Sequence, residues 1–217
     1  MVKPILFTNW RSACAWRVRI ALNLKGIEYE ERPVNLQTKE GPNAAECFRL
    51  NPARRVPFLV HGDVAIGESL AIIEYIDETF PGPPLLLPKD PVKRATARAI
   101  ALHVASGIQP LHAQRVLVKV AGERGAGADV AWAAHWIRVG CTELEAMLSK
   151  SAGVYSVGDD VSVADLVLPS LLFNARRYAV PLDGFPVLLR LEAQLGQLAA
   201  FVDACPERQS DAPKGSC

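Results

Sequence analysis

Up to Phe80 the apolar residues follow two rhythms. Short continuous runs predict strands, and stripes that recur every third or fourth position predict helices. Ile5-Leu6-Phe7 is a first strand; Cys14, Val18, Ala21 and Leu22 then fall on one helical face, with Gly26 placed to end that helix. Tyr29 to Leu36 reads as a second strand that Pro33, lacking an N–H, confines to an edge or a bulge. Gln37 to Asn43 is a polar loop, and Ala44 to Leu50 a short helix broken by Asn51-Pro52. Val56-Pro57-Phe58-Leu59-Val60 and Val64-Ala65-Ile66 flank His61-Gly62-Asp63, the pattern of a β-hairpin. Leu70 to Phe80 carries Ile72, Ile73, Ile76 and Phe80 at helical spacing. The order of elements is βαβαββα.

Beyond Phe80 only helical patterns remain. Pro81, Pro83, Pro84, Pro88 and Pro91 put five of the sixteen prolines into eleven residues, too many for helix or central strand, and predict a linker over 83–91 between a domain at 1–82 and a second at 92–217. Helices are expected over Val92 to Gly107, Ile108 to Ala121 and Ala131 to Leu148, the last with Trp132, Trp136, Val139 and Leu144 as core residues, and over Pro186 to Val202. Val161-Ser162-Val163-Ala164-Asp165-Leu166 reads as a helix start closed by a capping box, a structural role. The polar stretch from Pro206 to Cys217 is expected to fray.

A composition of 50% hydrophobic and 22% charged residues is that of a globular protein with a substantial core. The net charge of +1 supplies no electrostatic case for a nucleic-acid or membrane partner, since the basic pairs Arg54-Arg55 and Arg176-Arg177 stand alone. The opening Met1 to Phe7 is too short an apolar run for a signal peptide, and Cys217 as the final residue is no prenylation box, so a cytosolic location is expected. Cys14, Cys47, Cys141, Cys205 and Cys217 include no Cys-x-x-Cys, and the histidines at 61, 103, 112 and 135 have no ligand spacing, so reduced thiols and no metal are expected and no histidine is given a chemical role. Gly122 to Gly127 lacks the Lys-Ser/Thr of a phosphate loop.

The chemistry gathers where the first strand meets the first helix. Ser12 and Cys14 fall at the start of that helix, where unpaired N–H groups and the positive end of the helix dipole favour an anion, and a hydroxyl there can stabilise a thiolate. On spacing alone Ser12 is a helix cap and Cys14 a small core residue. The string Ser12-Ala13-Cys14-Ala15-Trp16-Arg17-Val18-Arg19-Ile20-Ala21-Leu22 resembles the signature of the zeta-class glutathione transferases, also called maleylacetoacetate isomerases. That family usually reads Ser-Ser-Cys, two variable residues, then Arg-Val-Arg-Ile-Ala-Leu, so Ala13 replaces its second serine.

The resemblance runs from Pro4 to about Pro206 and implies a thioredoxin-like N-terminal domain followed by an all-helical one. It implies a homodimer, glutathione as cofactor and a small dicarboxylic cis-enone acid as substrate. The reaction implied is cis–trans isomerisation of maleylacetoacetate or maleylpyruvate, in aromatic amino acid catabolism, with transferase side activity. By the same resemblance Ser12 and Cys14 are the catalytic pair, and Ser12, Ala13, Cys14, Ala15, Trp16, Arg17, Asn43, Val56, Pro57, Glu68, Ser69 and Gln109 hold glutathione. Val56-Pro57 is implied to be a cis bond that turns the Val56 N–H and C=O toward the cysteinyl part of the peptide; by spacing alone it is only a proline that starts a strand. Ser69 by spacing caps its helix, and by resemblance it holds the γ-glutamyl carboxylate with Glu68. Ala113 stands where the family has Asn, whereas Arg115 and Arg177 align with substrate-side arginines; together with Arg11 they suit a dianion, provided that they converge. Two other functions stand as alternatives, the second of them disfavoured by these residues. A transferase or dehalogenase acting on small α-haloacids such as dichloroacetate would use the thiolate by displacement, and a non-catalytic binding protein on this fold would have no need of Ser12, Val56-Pro57 and Glu68-Ser69.

Overall fold

The computed structural model describes residues 2–36 and 38–213. By packing, the chain divides into two compact units, Met1–Leu86 with Gly196–Cys217, and Leu87–Leu195. The first unit thus reaches past the expected boundary at 82, and takes in the end of the chain as well.

In the first unit β1 (Ile5–Thr8), α1 (Ala13–Leu24), β2 (Glu30–Pro33), α2 (Pro42–Leu50), β3 (Phe58–His61), β4 (Val64–Gly67) and α3 (Ser69–Thr79) follow the βαβαββα order. The sheet runs β2-β1-β3-β4. The crossover through α1 makes β1 and β2 parallel, and the hairpin makes β3 and β4 antiparallel. β2 lies at the edge with Pro33 as its last residue, which is where a residue without an N–H costs no ladder bond. It is shorter than the expected Tyr29 to Leu36. Leu6 and Phe7 are both 0% exposed, because helices cover both faces of the sheet and strand alternation disappears. Phe7, Val34, Ala44, Cys47, Val56 and Phe58 form the core under α2. On the helical side α1 packs against α3, burying Val18, Ala21, Leu22, Ile72, Ile73 and Ile76. Lys25 and Asp77 form a buried pair at 3.1 Å, and the same ammonium donates to Gly82 O and Pro84 O, which secures the start of the proline segment.

Arg17 and Arg19, on the face of α1 that the apolar stripe leaves polar, are 0% exposed. Arg19 is enclosed by carbonyls: Nε and Nη2 donate to Ala204 O (3.2 and 3.1 Å), Nη1 to Asn9 O (3.3 Å) and Thr8 Oγ1 (3.1 Å), and Nη2 to Trp10 O (3.1 Å). Ala204 belongs to the returning end of the chain. There the described residues are folded rather than frayed: a 3-10 turn spans Pro206–Arg208, and the Gln209 amide donates to Asp203 O and Cys205 O. The polar composition of this stretch serves side-chain bonds to the first unit instead of solvation. Cys217 lies outside the described residues.

The second unit is helical: α4 (Pro91–Leu102), α5 (Gln114–Arg124), α6 (Ala128–Ser151), α7 (Val163–Leu166), α8 (Leu168–Arg177) and α9 (Pro186–Leu195). The helix expected over Ile108 to Ala121 does not begin at Ile108. A π turn at His103–Ile108 and a 3-10 turn at Gln109–His112, containing Pro110, separate α4 from α5. The helix expected over Pro186 to Val202 is interrupted at Gly196, and its second part is a separate α10 (Ala199–Asp203) that packs on α1 in the first unit. Along α6 the buried stripe is Ala133, Ile137, Gly140, Cys141, Leu144 and Leu148. Of the expected core residues only Leu144 belongs to it; Trp132 and Trp136 lie half-buried on the flank, edge to face at 5.8 Å. The capping box forms at α7. Asp165 Oδ2 accepts the Ser162 N–H and Oδ1 accepts the Ser156 N–H, each at 2.8 Å, and burial raises the Asp165 pKa against these bonds.

Two substitutions test this packing. Arg19→Met leaves the buried carbonyls of Trp10 and Ala204 without their Arg19 donors and takes one of two donors from Asn9 O, and a loss of about 3 kcal/mol or more is expected in urea unfolding. A Cβ at Gly140 would lie 2.4 Å from Ile108 Cδ1, so Gly140→Ala is expected to cost about 1–3 kcal/mol by the same assay, although alanine is the better helix former.

Candidate active site

Strand register brings the motifs of the first unit together. Phe7 pairs with Phe58, and Phe58 with Gly67. Thr8 and the loop after it, Val56-Pro57 just before Phe58, and Glu68-Ser69 just after Gly67 therefore share one end of the sheet. Two helices begin at this same end, α1 and α3, and their first-turn N–H groups make it favourable to anions.

Ser12 is the N-cap of α1, with φ −68° and ψ 113°, and its Oγ accepts the Ala15 N–H at 3.2 Å. The capping role predicted from spacing is thus real. The oxygen accepts from the helix, which leaves the hydroxyl hydrogen available for donation. Cys14, in the first turn, is half-buried. Arg17, one turn along, is wholly enclosed; burial lowers its pKa, and the neighbouring Cys14 and then Glu68 act to raise it. Ala15 at 0% and Trp16 at 8% exposure are enclosed as well, so of the residues 12–17 assigned to glutathione only Ser12, Ala13 and Cys14 retain a partly open surface.

The Val56–Pro57 bond is cis. The loop before it is stapled by Asn51, whose Nδ2 donates to Arg55 O at 2.9 Å while its Oδ1 accepts the Ala53 N–H at 3.0 Å. From the sequence Asn51 reads only as a helix breaker. At α3 the sequence makes Ser69 the cap, but Glu68 occupies that position at φ +64° and its side chain does not cap the helix; Ser69 is the first helical residue, 6% exposed. The serine is thereby released from capping. A left-handed backbone at a glutamate is uncommon and concentrates at functional positions. The Asn43 amide donates to Pro33 O at 2.9 Å, a tie to the edge strand.

Arg11 is exposed in the loop between β1 and α1, with its guanidinium 5.6 Å from the centre of the Trp10 ring. The other two arginines assigned to substrate belong to the second unit. Arg115 lines a groove of about 400 Å³ between α5 and α6 with Lys119, Glu123, Arg124 and Trp132; Arg177 is not among its lining residues. Arg177 stands over the Tyr178 ring at 5.3 Å and beside His112. Its neighbour Arg176 is bound bidentately by Glu192 at 2.6 and 2.5 Å. Gln109 is 8% exposed in the 3-10 turn. His112, given no role from sequence, is buried three residues further on; burial, together with the Arg177 charge, lowers its pKa to about 4, so it is a neutral imidazole at physiological pH. Only the fold reveals that pairing, since nothing in the spacing of 112 and 177 signals it.

Cys47 and Cys141 are buried, and desolvation pushes their thiols up to about 11 and about 12; Cys205 is raised in the same way. Cys14, Cys47, Cys141 and Cys205 are not joined in disulfides. Among the described residues no group of three or more His, Cys, Asp or Glu could hold a metal, and no helix is long and apolar enough to cross a membrane.

Residues 11–79 match the N-terminal domain of glutathione S-transferases. The chain is 48% identical over 210 residues to a probable maleylacetoacetate isomerase of Caenorhabditis elegans, covering 96% of each. A crystal structure of maleylacetoacetate isomerase from Anaeromyxobacter dehalogenans with glutathione bound in its active site superposes with a TM-score of 0.88 at 38% identity, covering 98% of this chain and 99% of that one. The holo structure of a maleylpyruvate isomerase described as a bacterial zeta-class glutathione transferase gives 0.89 at 38% identity, covering 96% and 100%. The chain belongs to the zeta-class glutathione transferase family, that of the maleylacetoacetate isomerases.

Proposed function

We propose that this chain catalyses the glutathione-dependent cis–trans isomerisation of maleylacetoacetate or maleylpyruvate. The observation that carries the reading is Ser12: its oxygen is held by the Ala15 N–H at the positive end of α1, at the sheet end shared with cis Val56–Pro57 and Ser69. These residues fit glutathione. Ser69, freed from capping at the start of α3, and the N–H groups of that helix suit the γ-glutamyl carboxylate, with Glu68 for the ammonium group. The Val56 backbone suits the cysteinyl amide. When bound, glutathione supplies a thiolate that adds reversibly to the cis double bond, so that the carbon–carbon bond can rotate before elimination.

Each step asks something definite of the protein. Ser12 donates its hydroxyl hydrogen to the sulfur, which favours the thiolate and lowers a thiol pKa that is about 8.5 when free. The helix dipole of α1 acts in the same direction, and Cys14 lies in the same turn. Ala13 supplies no second hydroxyl, so the donation rests on Ser12. Arg11, Arg115 and Arg177 answer the substrate carboxylates and the charge that develops on the enolate, with neutral His112 beside Arg177 as an acceptor that adds no charge of its own. The first unit, 1–86 with 196–217, then binds glutathione, with Asn43 lining the peptide, and the second, 87–195, binds the substrate. The working protein is a cytosolic homodimer.

The test follows glutathione-dependent loss of absorbance by maleylacetoacetate and maleylpyruvate in parallel. Ser12→Ala is expected to lower kcat about 10²-fold, the effect of removing one donor to a developing anion, with a smaller change in glutathione affinity. Unchanged turnover in the variant overturns the assignment of Ser12. A glutathione-dependent yield of glyoxylate from dichloroacetate, with no turnover of either cis acid, replaces the isomerase with the dehalogenase.

A further inference from the structure

The loop that delivers Ser12 to α1 is held by bonds from both ends of the first unit. Asn9 O accepts from the Ser12 N–H at 3.0 Å and from Arg19 Nη1; Trp10 O accepts from Arg19 Nη2; the Arg11 N–H donates to Asn9 Oδ1 at 3.3 Å; and Asn9 Nδ2 donates to Val34 O at 3.1 Å. The Trp10 N–H donates to Asp211 Oδ2 at 3.0 Å, across 201 residues of sequence. The residues just before that carboxylate are pinned twice: by the Gln209 amide to Asp203 O and Cys205 O, and by Ser210 Oγ, which donates to Glu31 Oε2 at 3.1 Å.

Asp211 is a costly choice if the tail needed only an anchor. Its Oδ1 is buried with no hydrogen-bond partner among the described residues, an arrangement an uncharged acceptor would avoid. What the charge faces is Arg19, the guanidinium that holds the carbonyls of Asn9 and Trp10. One carboxylate thus bears on the loop twice, directly through the Trp10 N–H and indirectly through Arg19.

We propose that Asp211 is a positioning residue for Ser12: by fixing the Trp10 peptide two residues upstream, it sets where the serine hydroxyl stands relative to the glutathione sulfur. This rests on the assignment of Ser12 to that sulfur. The chain end, far from the site in sequence, is then part of the device that tunes the thiol.

The experiment uses the full chain and glutathione alone, titrating the ultraviolet absorbance of the bound thiolate against pH for Asp211→Ala, Asp211→Asn, Ser210→Ala and Ser12→Ala, with kcat and KM measured alongside. In Asp211→Ala the thiol pKa is expected to rise by about half to one unit, and kcat below that pKa to fall about three- to tenfold with it, while KM for glutathione changes less than about twofold. Asp211→Asn keeps an oxygen for the Trp10 N–H but loses the charge that faces Arg19, so it is expected to shift the thiol pKa in the same direction as the alanine variant, by less. Ser210→Ala removes the neighbouring anchor without touching Trp10 and is expected to leave the titration unmoved. An unmoved titration in Asp211→Ala, or an equal shift in Ser210→Ala, overturns the inference if Ser12→Ala moves the titration. If Ser12→Ala leaves it unmoved, the assignment of Ser12 fails and the inference falls with it. Should Asp211→Ala not fold, the comparison of Asp211→Asn with Ser210→Ala decides: a titration shift in Asn alone supports the inference, and none in either overturns it.

Discussion

A guanidinium buried in the middle of α1 holds the first unit together. Arg19 is fully enclosed, and burial works against its charge, an effect that Tyr29, Glu31 and Asp211 nearby offset in part. Such a group persists only if its donors are satisfied. The donors are met by the end of β1, by the loop after it and by the last turn of α10. One side chain thereby joins the beginning of the chain to its end. The satisfied carbonyls are those of the loop that leads to Ser12, so the requirement that stabilises the unit also shapes the site.

Strand register does the remaining assembly. Because Phe7, Phe58 and Gly67 stand side by side across three strands, the residues that flank them must emerge at the same sheet end, however far apart they are in sequence. At that end two helices begin, one capped by Ser12 and the other carrying Glu68 in a left-handed conformation with Ser69 following. The result is a place where the first turns of two helices and a serine hydroxyl lie at one end of the sheet, an arrangement that favours an anion.

The second unit contributes charge under control. Arg176 is neutralised by Glu192, whereas Arg177 stacks on Tyr178 beside an imidazole that burial keeps neutral. Adjacent arginines therefore have different functions available to them, one structural and one open to an anion. Likewise Asp165 spends its charge on the Ser156 and Ser162 N–H groups at the start of α7, in support of the helix rather than of chemistry.

The order of elements, the edge position of β2, the hairpin, the capping box and the opening motif were all legible in the sequence, because each depends on residues close together in the chain: apolar spacing, a missing proline N–H, a serine and an aspartate three apart. What depended on distant partners was not. Arg19 and Arg17 look like the polar face of an amphipathic helix until α10 and the loops close over them; the tail looks solvated until Asp211 meets Trp10; Trp132 and Trp136 look like core until α6 turns its small residues inward. Glu68 rather than Ser69 takes the cap of α3, and His112 acquires Arg177 as a neighbour, through backbone geometry and packing that no local spacing encodes. Short-range pattern determines which segments become helix or strand, since propensity and periodicity act over a few residues. Which buried charge is satisfied, and by what, is decided only when the chain brings remote carbonyls and carboxylates within reach.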